Sequence, residues 1–283
     1  MSTTNGHGSP ETILFIHGLW MTPRSWENWA ARAESRGYKT LAPSWPGLEG
    51  EVEALNADST PLTKLAVPKI VDYYEVIIRG LDSLPIIVGH SLGGTLMQLL
   101  IDRGLGAGGI GVSPGTVRGI PDLPLSTLKS ARPVLLNPFN RGNATPLSAE
   151  QFHYAFGNTL SREESDEIYR RYHVPAANRV LFQVANANIN FRTPVRVDFK
   201  RTDRAPMLFI GAAEDHVVPA KVVKKMAAKY ATPVEYKEFA NRPHFPGGPG
   251  WEEVVDYALT WADENVQQGS TVSVSEPEAS RRA

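Results

Sequence analysis

Ser91, set in Gly89-His90-Ser91-Leu92-Gly93 between two apolar runs, is the residue of this chain best placed to act as a nucleophile. Pro85 to Val88 reads as a short buried strand and Leu92 to Leu100 as a buried helix, so the serine falls on the junction. A serine forced to positive φ in so sharp a turn needs neighbours without a Cβ two residues to either side, and Gly89 and Gly93 meet that demand. The same turn starts a helix, whose free backbone N–H groups, Leu92's first among them, can receive negative charge developing on a substrate. A hydroxyl attacks well only when a base takes its proton and a carboxylate orients that base. The pattern therefore asks for one histidine and one acid elsewhere in the chain.

Seven histidines are available. His7 lies in a polar end, His17 and His90 sit inside the segments that frame the serine, and His153 and His173 belong to a long helical stretch, which leaves His216 and His244. His244 is preferred because Asn241-Arg242-Pro243-His244-Phe245-Pro246-Gly247-Gly248 is a loop between the last strand and the last helix, where an imidazole can face the serine. For the acid, Gly211-Ala212-Ala213-Glu214-Asp215-His216-Val217-Val218-Pro219 follows another strand and offers two adjacent carboxylates. Either could serve. Asp215 is preferred for its shorter reach, and Glu214 reads as a solvated loop charge. His17 reads as an orienting residue of its own loop and His90 as a packing residue.

These groups need a scaffold that brings distant loops to one place. Thr12 to Ile16 and Tyr38 to Ala42 read as strands, with Pro23 to Ser35 between them carrying Trp26, Trp29, Ala30 and Ala33 at helical spacing. Lys69 to Leu81 shows one apolar helical face, and the strand before Ser91 follows it. Gly108 to Val112 is a further short strand, after which the alternation stops for about ninety residues, too long for a simple connection. Within that stretch Ser148 to Asn158, Arg162 to Tyr172 and Pro175 to Asn186 read as helices with Ser or Pro at their starts. Alternation resumes with Pro206 to Gly211 and Pro233 to Phe239 as strands and Ala220 to Tyr230 and Trp251 to Asn265 as helices. The fold class expected is α/β, a mostly parallel doubly wound sheet with functional groups at the carboxyl ends of its strands and a helical cap insertion above them.

The order serine, acid, histidine, together with His17-Gly18-Leu19-Trp20, Gly89-His90-Ser91-Leu92-Gly93-Gly94, the 211–219 segment and the His244 loop, resembles the α/β-hydrolase fold serine hydrolases, over nearly the whole chain. The HGxW and SLGG patterns are most similar to the esterase and hydroxynitrile lyase branch. The resemblance implies an oxyanion hole from the Leu19 and Leu92 N–H groups, a core at 10–112 and 205–266, and a cap at 113–204 over the substrate. Lyases of that branch carry a lysine beside the catalytic histidine, whereas Phe245 follows His244 here, which weakens the lyase reading. In the cap, Phe139, Phe152, Phe156, Phe182 and Phe191 are candidates to line an apolar pocket with Trp20 and Trp45, and Asn186, Asn188 and Asn190 are candidates to reach it.

Function follows as an expectation: a serine hydrolase of a small, largely apolar carboxylic ester or thioester, with short acyl or aromatic esters favoured. The alternatives are a non-hydrolytic enzyme on the same three residues, such as a perhydrolase, lyase or cyclase, and a binding protein of the same fold without activity. The chain of 283 residues has a formal net charge of −1 and no extended basic patch, so nucleic acid is not an expected partner. It has no cysteine, which excludes thiolate metal sites, and neither cofactor nor metal is expected. No segment has the apolar length of a membrane span and the first ten residues are polar, so a cytoplasmic protein with a small-molecule substrate is expected, with flexible ends at 1–9 and 267–283. Oligomeric state is not legible.

Overall fold

The computed structural model describes residues 12–266, so the expectations for 1–9 and 267–283 lie outside the described residues. Six parallel strands form the central sheet in the order β2-β1-β3-β4-β7-β8: β1 Thr12–Ile16, β2 Lys39–Leu41, β3 Ile86–His90, β4 Gly108–Val112, β7 Met207–Ala212 and β8 Val234–Phe239. Parallel pairing requires crossovers, and these place helices on both faces of the sheet. Alternate side chains accordingly serve two cores. Ile13, Phe15, Ile86, Val88, Ile110, Leu208 and Ile210 pack with Trp26, Trp29, Val255 and Leu259, from the helices α1 (Glu27–Ser35) and α10 (Trp251–Asn265) and the turn before α1. Leu14, Ile16, Ile87, Met207 and Phe209 pack on the other face, under α3 (Val67–Arg79), α4 (Leu92–Asp102) and α9 (Ala220–Ala227).

The chain leaves β1 to one side for β2 and to the other for β3, so the sheet's strand order reverses there, and open α/β sheets bind ligands in the crevice at such a point. Ser91 caps β3 at that crevice.

Between β4 and β7 the chain forms α5 (Leu125–Leu135), α6 (Ala149–Phe156), α7 (Arg162–Tyr172) and α8 (Asn178–Ala185), with a two-stranded antiparallel pair, β5 (Ala144–Thr145) and β6 (Ala176–Ala177). Both α6 and α7 begin with a capping box, Ser148 with Gln151 and Ser161 with Glu164. Two differences from the sequence reading have clear causes. The helix expected from Pro175 starts only at Asn178, because Ala176 and Ala177 pair with β5 instead. Helix α5 is not anticipated at all, since Pro124 at its N-terminal cap and Pro133 obscure a helical pattern, yet the helix forms with Pro133 inside it. Helix α2 (Val52–Ala57) is likewise an addition. Among the described residues no helix is long and apolar enough to cross a membrane.

Candidate active site

Ser91 has φ 52° and ψ −120°, a conformation held by its surroundings rather than by its own preference. A Cβ on Gly89 would come within 2.3 Å of the Gly93 carbonyl oxygen, and one on Gly93 within 2.0 Å of the Ile16 carbonyl oxygen, so both glycines are steric requirements of the turn. The Ser91 N–H donates to the Val112 carbonyl (3.1 Å), and the Gly115 N–H donates to the Ser91 carbonyl (2.6 Å), which ties the turn to the end of β4 and the loop beyond it. Among the described residues the Ser91 side chain has no hydrogen-bond partner. Nor do the backbone N–H groups of Leu19 and Leu92, two residues that border the same cavity as Ser91.

Asp215 and His244 meet in the interior. The His244 Nδ1–H donates to Asp215 Oδ2 at 2.6 Å, and both side chains are fully buried. The other carboxylate oxygen accepts from the Val217 and Val218 N–H groups at 2.7 Å each, so the acid is locked by three donors and only one of its oxygens faces the imidazole. Glu214 is exposed, and only its backbone takes part, the N–H donating to the Arg242 carbonyl and the carbonyl accepting from Asn158 Nδ2. His216 is turned away, with Nδ1 bonded to the Tyr154 carbonyl (2.9 Å) and its ring stacked on Tyr154. His244 Nε2 is buried with no hydrogen-bond partner. Its ring centroid lies 4.6 Å from that of His90, the residue before Ser91.

His90 does more than pack. Its Nε2–H donates to the His244 carbonyl at 2.8 Å, joining the end of β3 to the loop after β8. Burial, then the neighbouring His244, hold His90 well below the usual histidine range, so it stays neutral beside the second imidazole. His17 is pushed down to about 4 by burial, against the opposing effect of its bond to the Gly18 carbonyl. Its Nδ1–H donates to that carbonyl at 2.9 Å, and Nε2 accepts from the Trp45 N–H at 3.4 Å, so a neutral ring braces the loop containing Leu19.

The cavity at Ser91 has a volume of about 380 Å³. Two helical stripes form much of its wall: Thr127, Ser130, Ala131 and Leu135 on α5, and Leu181, Val184 and Ala185 on α8 with Asn188 just beyond. Val217, Val218, Pro219 and Val222 close it from the acid loop and α9. Trp20 borders it as expected, its indole N–H donating to the Thr145 carbonyl at 3.1 Å.

The other expected aromatics do not line it. Trp45 is 1% exposed and stacks on His17, 4.6 Å away. Phe152 and Phe156 stack on each other at 4.9 Å inside the cap, where Phe156 presents its edge to His244 at 5.0 Å. Phe182 is buried on α8 off the lining face, while Phe139 and Phe191 stand 93% and 83% exposed at corners of the cap. Trp45, Phe152, Phe156 and Phe182 are buried away from the cavity, Phe139 and Phe191 stand outside it, and smaller aliphatic residues face it. Of the three asparagines only Asn188 borders it.

A sheet of six parallel strands, a serine on a strand-to-helix turn and a buried acid–histidine pair at the strand ends define an α/β hydrolase. The family profile described as the alpha/beta hydrolase family matches residues 13–257, and the chain belongs to that family of enzymes. Among solved structures the chain is similar to a pyrethroid hydrolase from Sphingobium faniae JZ-2 (18% identity, TM-score 0.64, covering 89% of this chain and 97% of that one). It is also similar to an extracellular alpha/beta-hydrolase from a Paenibacillus species (16%, TM-score 0.66, 92% and 100%) and to a monoacylglycerol lipase from Paleococcus ferrophilus (18%, TM-score 0.64, 91% and 96%). At these identities the likeness is one of fold.

Proposed function

We propose that the protein is a cofactor-independent serine esterase or thioesterase acting on small, largely apolar substrates, with Ser91 as nucleophile, His244 as base and Asp215 as the carboxylate that orients the base. The reading is carried by the buried His244–Asp215 contact of 2.6 Å beside a strained serine that borders the cavity. The imidazole proton donated to Asp215 fixes the tautomer in which Nε2 is the acceptor, and Nε2 is the atom without a partner.

Ser91 Oγ attacks the substrate carbonyl carbon as His244 Nε2 takes the hydroxyl proton. The carbonyl π electrons move to oxygen, which lies against the unpaired Leu19 and Leu92 N–H groups. The intermediate collapses with cleavage of the C–O or C–S bond, and His244 returns its proton to the departing alcohol or thiol. Water then attacks the acyl carbon, giving a proton to His244; the bond to Oγ breaks, the acid leaves, and the proton returns to Ser91. Hydrogen bonds between nucleophile and base often tighten only in the substrate complex, so an unpaired Nε2 in the free enzyme suits this cycle. The helical segment 113–204 serves as the cap that keeps bulk water from the acyl group.

Ser91→Ala should reduce turnover of a soluble aryl ester by about six orders of magnitude, as removal of a triad serine does. Unchanged turnover in that variant would overturn the proposal.

A further inference from the structure

The polar side chains around the cavity are already spoken for. The Thr127 hydroxyl donates to the Val217 carbonyl at 2.8 Å and that of Ser130 to the His216 carbonyl at 3.3 Å. Asn188 uses both ends of its amide: Oδ1 accepts from the Gly119 N–H at 2.7 Å, and Nδ2 donates to the Ile120 carbonyl at 2.8 Å. Asp122 is paired with Lys225 at 2.5 Å. Among the described residues the side-chain hydroxyls of Ser91 and Thr116 have no protein partner, and neither do the Leu19 and Leu92 N–H groups. These cluster at one end, since Gly115, next to Thr116, is bonded through its N–H to the Ser91 carbonyl. The remaining wall is aliphatic, from Ile120, Leu135, Leu181, Val184, Val217 and Val222. Leu123 and Ile189, 53% and 77% exposed, carry that surface out to the rim.

A hydrogen-bond acceptor placed along that wall would lose water and find no unused donor on Thr127, Ser130 or Asn188, which should weaken binding by roughly tenfold or more. We infer that the portion of the substrate held in this cavity is a flexible aliphatic chain without polar substituents. The inference rests on the esterase reading above and names its substrate class. At about 30 Å³ per water-sized group the cavity holds roughly a dozen such groups, which leaves room for the ester and a chain of about eight to ten carbons. This aliphatic chain is longer than the short-acyl expectation, and it is favoured over an aromatic group because the phenylalanines expected to line the cavity do not border it.

Two homologous series test it, p-nitrophenyl alkanoates from acetate to hexadecanoate and n-alkyl acetates over the same lengths, so that acyl-side and alcohol-side placement are separated. In one series kcat/KM should rise roughly fourfold per added methylene up to about eight to ten carbons and then level or fall. The ester of equal length ending in a carboxylate, and the benzoate, should each be at least tenfold poorer than the best alkanoate. Val184→Trp, which fills the wall between the helices, should lower the octanoate-to-acetate ratio. In parallel, calorimetry of n-alkanols binding to Ser91→Ala reads the cavity without chemistry, and affinity should climb with chain length by the same factor. Turnover that is flat beyond butanoate in both series, or a preference for the benzoate or the carboxylate-ended ester, overturns the inference while leaving Ser91 acylation standing. If no ester is cleaved but alkanol affinity rises with length, the reaction is wrong and the aliphatic site stands. Alkanols that bind no tighter as they lengthen overturn the inference directly.

Discussion

At the scale of single residues, two carboxylates, Glu214 and Asp215, and two imidazoles, His216 and His244, lie within the acid and base segments. Asp215 receives one donor from His244 and two from the backbone, so replacing it by Asn would set an amide against Nδ1 and permit the wrong tautomer. Asp215→Asn should lower kcat by up to ~10⁴, with KM little changed, whereas Glu214→Gln, on an exposed side chain, should stay within about twofold. His244→Ala should be as damaging as Asp215→Asn or more so, and His216→Ala mild, because His216 is engaged with Tyr154. Steady-state kinetics on the four variants separates the pairs, and comparable losses in Glu214→Gln and Asp215→Asn would mean a shared role. The placing of Ser91 on its turn was legible in the sequence because a junction between strand and helix, flanked by obligatory glycines, leaves few ways to place a serine.

At the scale of elements, the segments that carry Ser91 and His244 are joined through His90, which links the end of β3 to the carbonyl of His244. His90→Phe keeps a ring but removes the donor and leaves that carbonyl buried and unpaired. It should cost about 1–3 kcal/mol of stability in chemical denaturation, and kcat should fall at least tenfold with KM nearly unchanged as His244 loses its brace. A variant with the stability loss but full kcat would make His90 structural only. This link illustrates what the sequence could not reveal. The central strands β1, β3 and β7 were readable because both faces of a parallel sheet are covered, which makes them near-continuous apolar runs between turn residues, and Thr12–Ile16 and Gly108–Val112 match their observed limits. The cap was harder. Its helices α6 and α7 were marked by Ser148 and Ser161 at their caps, but α5 was hidden by prolines, and which face of α8 meets the cavity depends on packing between helices. The spacing of Leu181, Val184, Ala185 and Asn188 was a usable signal, a helical stripe that the larger Phe182 drew attention away from.

At the scale of the whole molecule, buried neutral histidines make the fold sensitive to acid. His17 and His173 are each pushed down to about 4 from the ordinary 6.5, in both cases chiefly by burial. The unfolded chain takes up these protons as pH falls below about 6.5 while the folded protein does not until about 4, so their contribution to stability is complete above 6.5 and is lost as pH drops toward 4, by about 1.4 kcal/mol per pH unit for each group. Tm should therefore fall steeply between pH 6.5 and 4.5. Because His90 is also held neutral by burial, three histidines share this loss, and His173→Gln, whose amide can still accept from the Leu147 N–H as Nε2 does at 3.0 Å, should flatten that fall by up to about a third; an unaltered slope would exclude His173 as a source. At this scale the sheet of six parallel strands presents Ser91, Asp215 and His244 at the ends of its strands, and the product of their proposed joint action is an acyl-enzyme. The most direct measurement is intact-protein mass spectrometry of samples acid-quenched within milliseconds of mixing with p-nitrophenyl octanoate, followed by peptide mapping. The account predicts an added octanoyl mass on Ser91 that forms with the burst of p-nitrophenol, decays with turnover and is absent from Ser91→Ala; turnover with no adduct at any time, accompanied by equal turnover in Ser91→Ala, would contradict it.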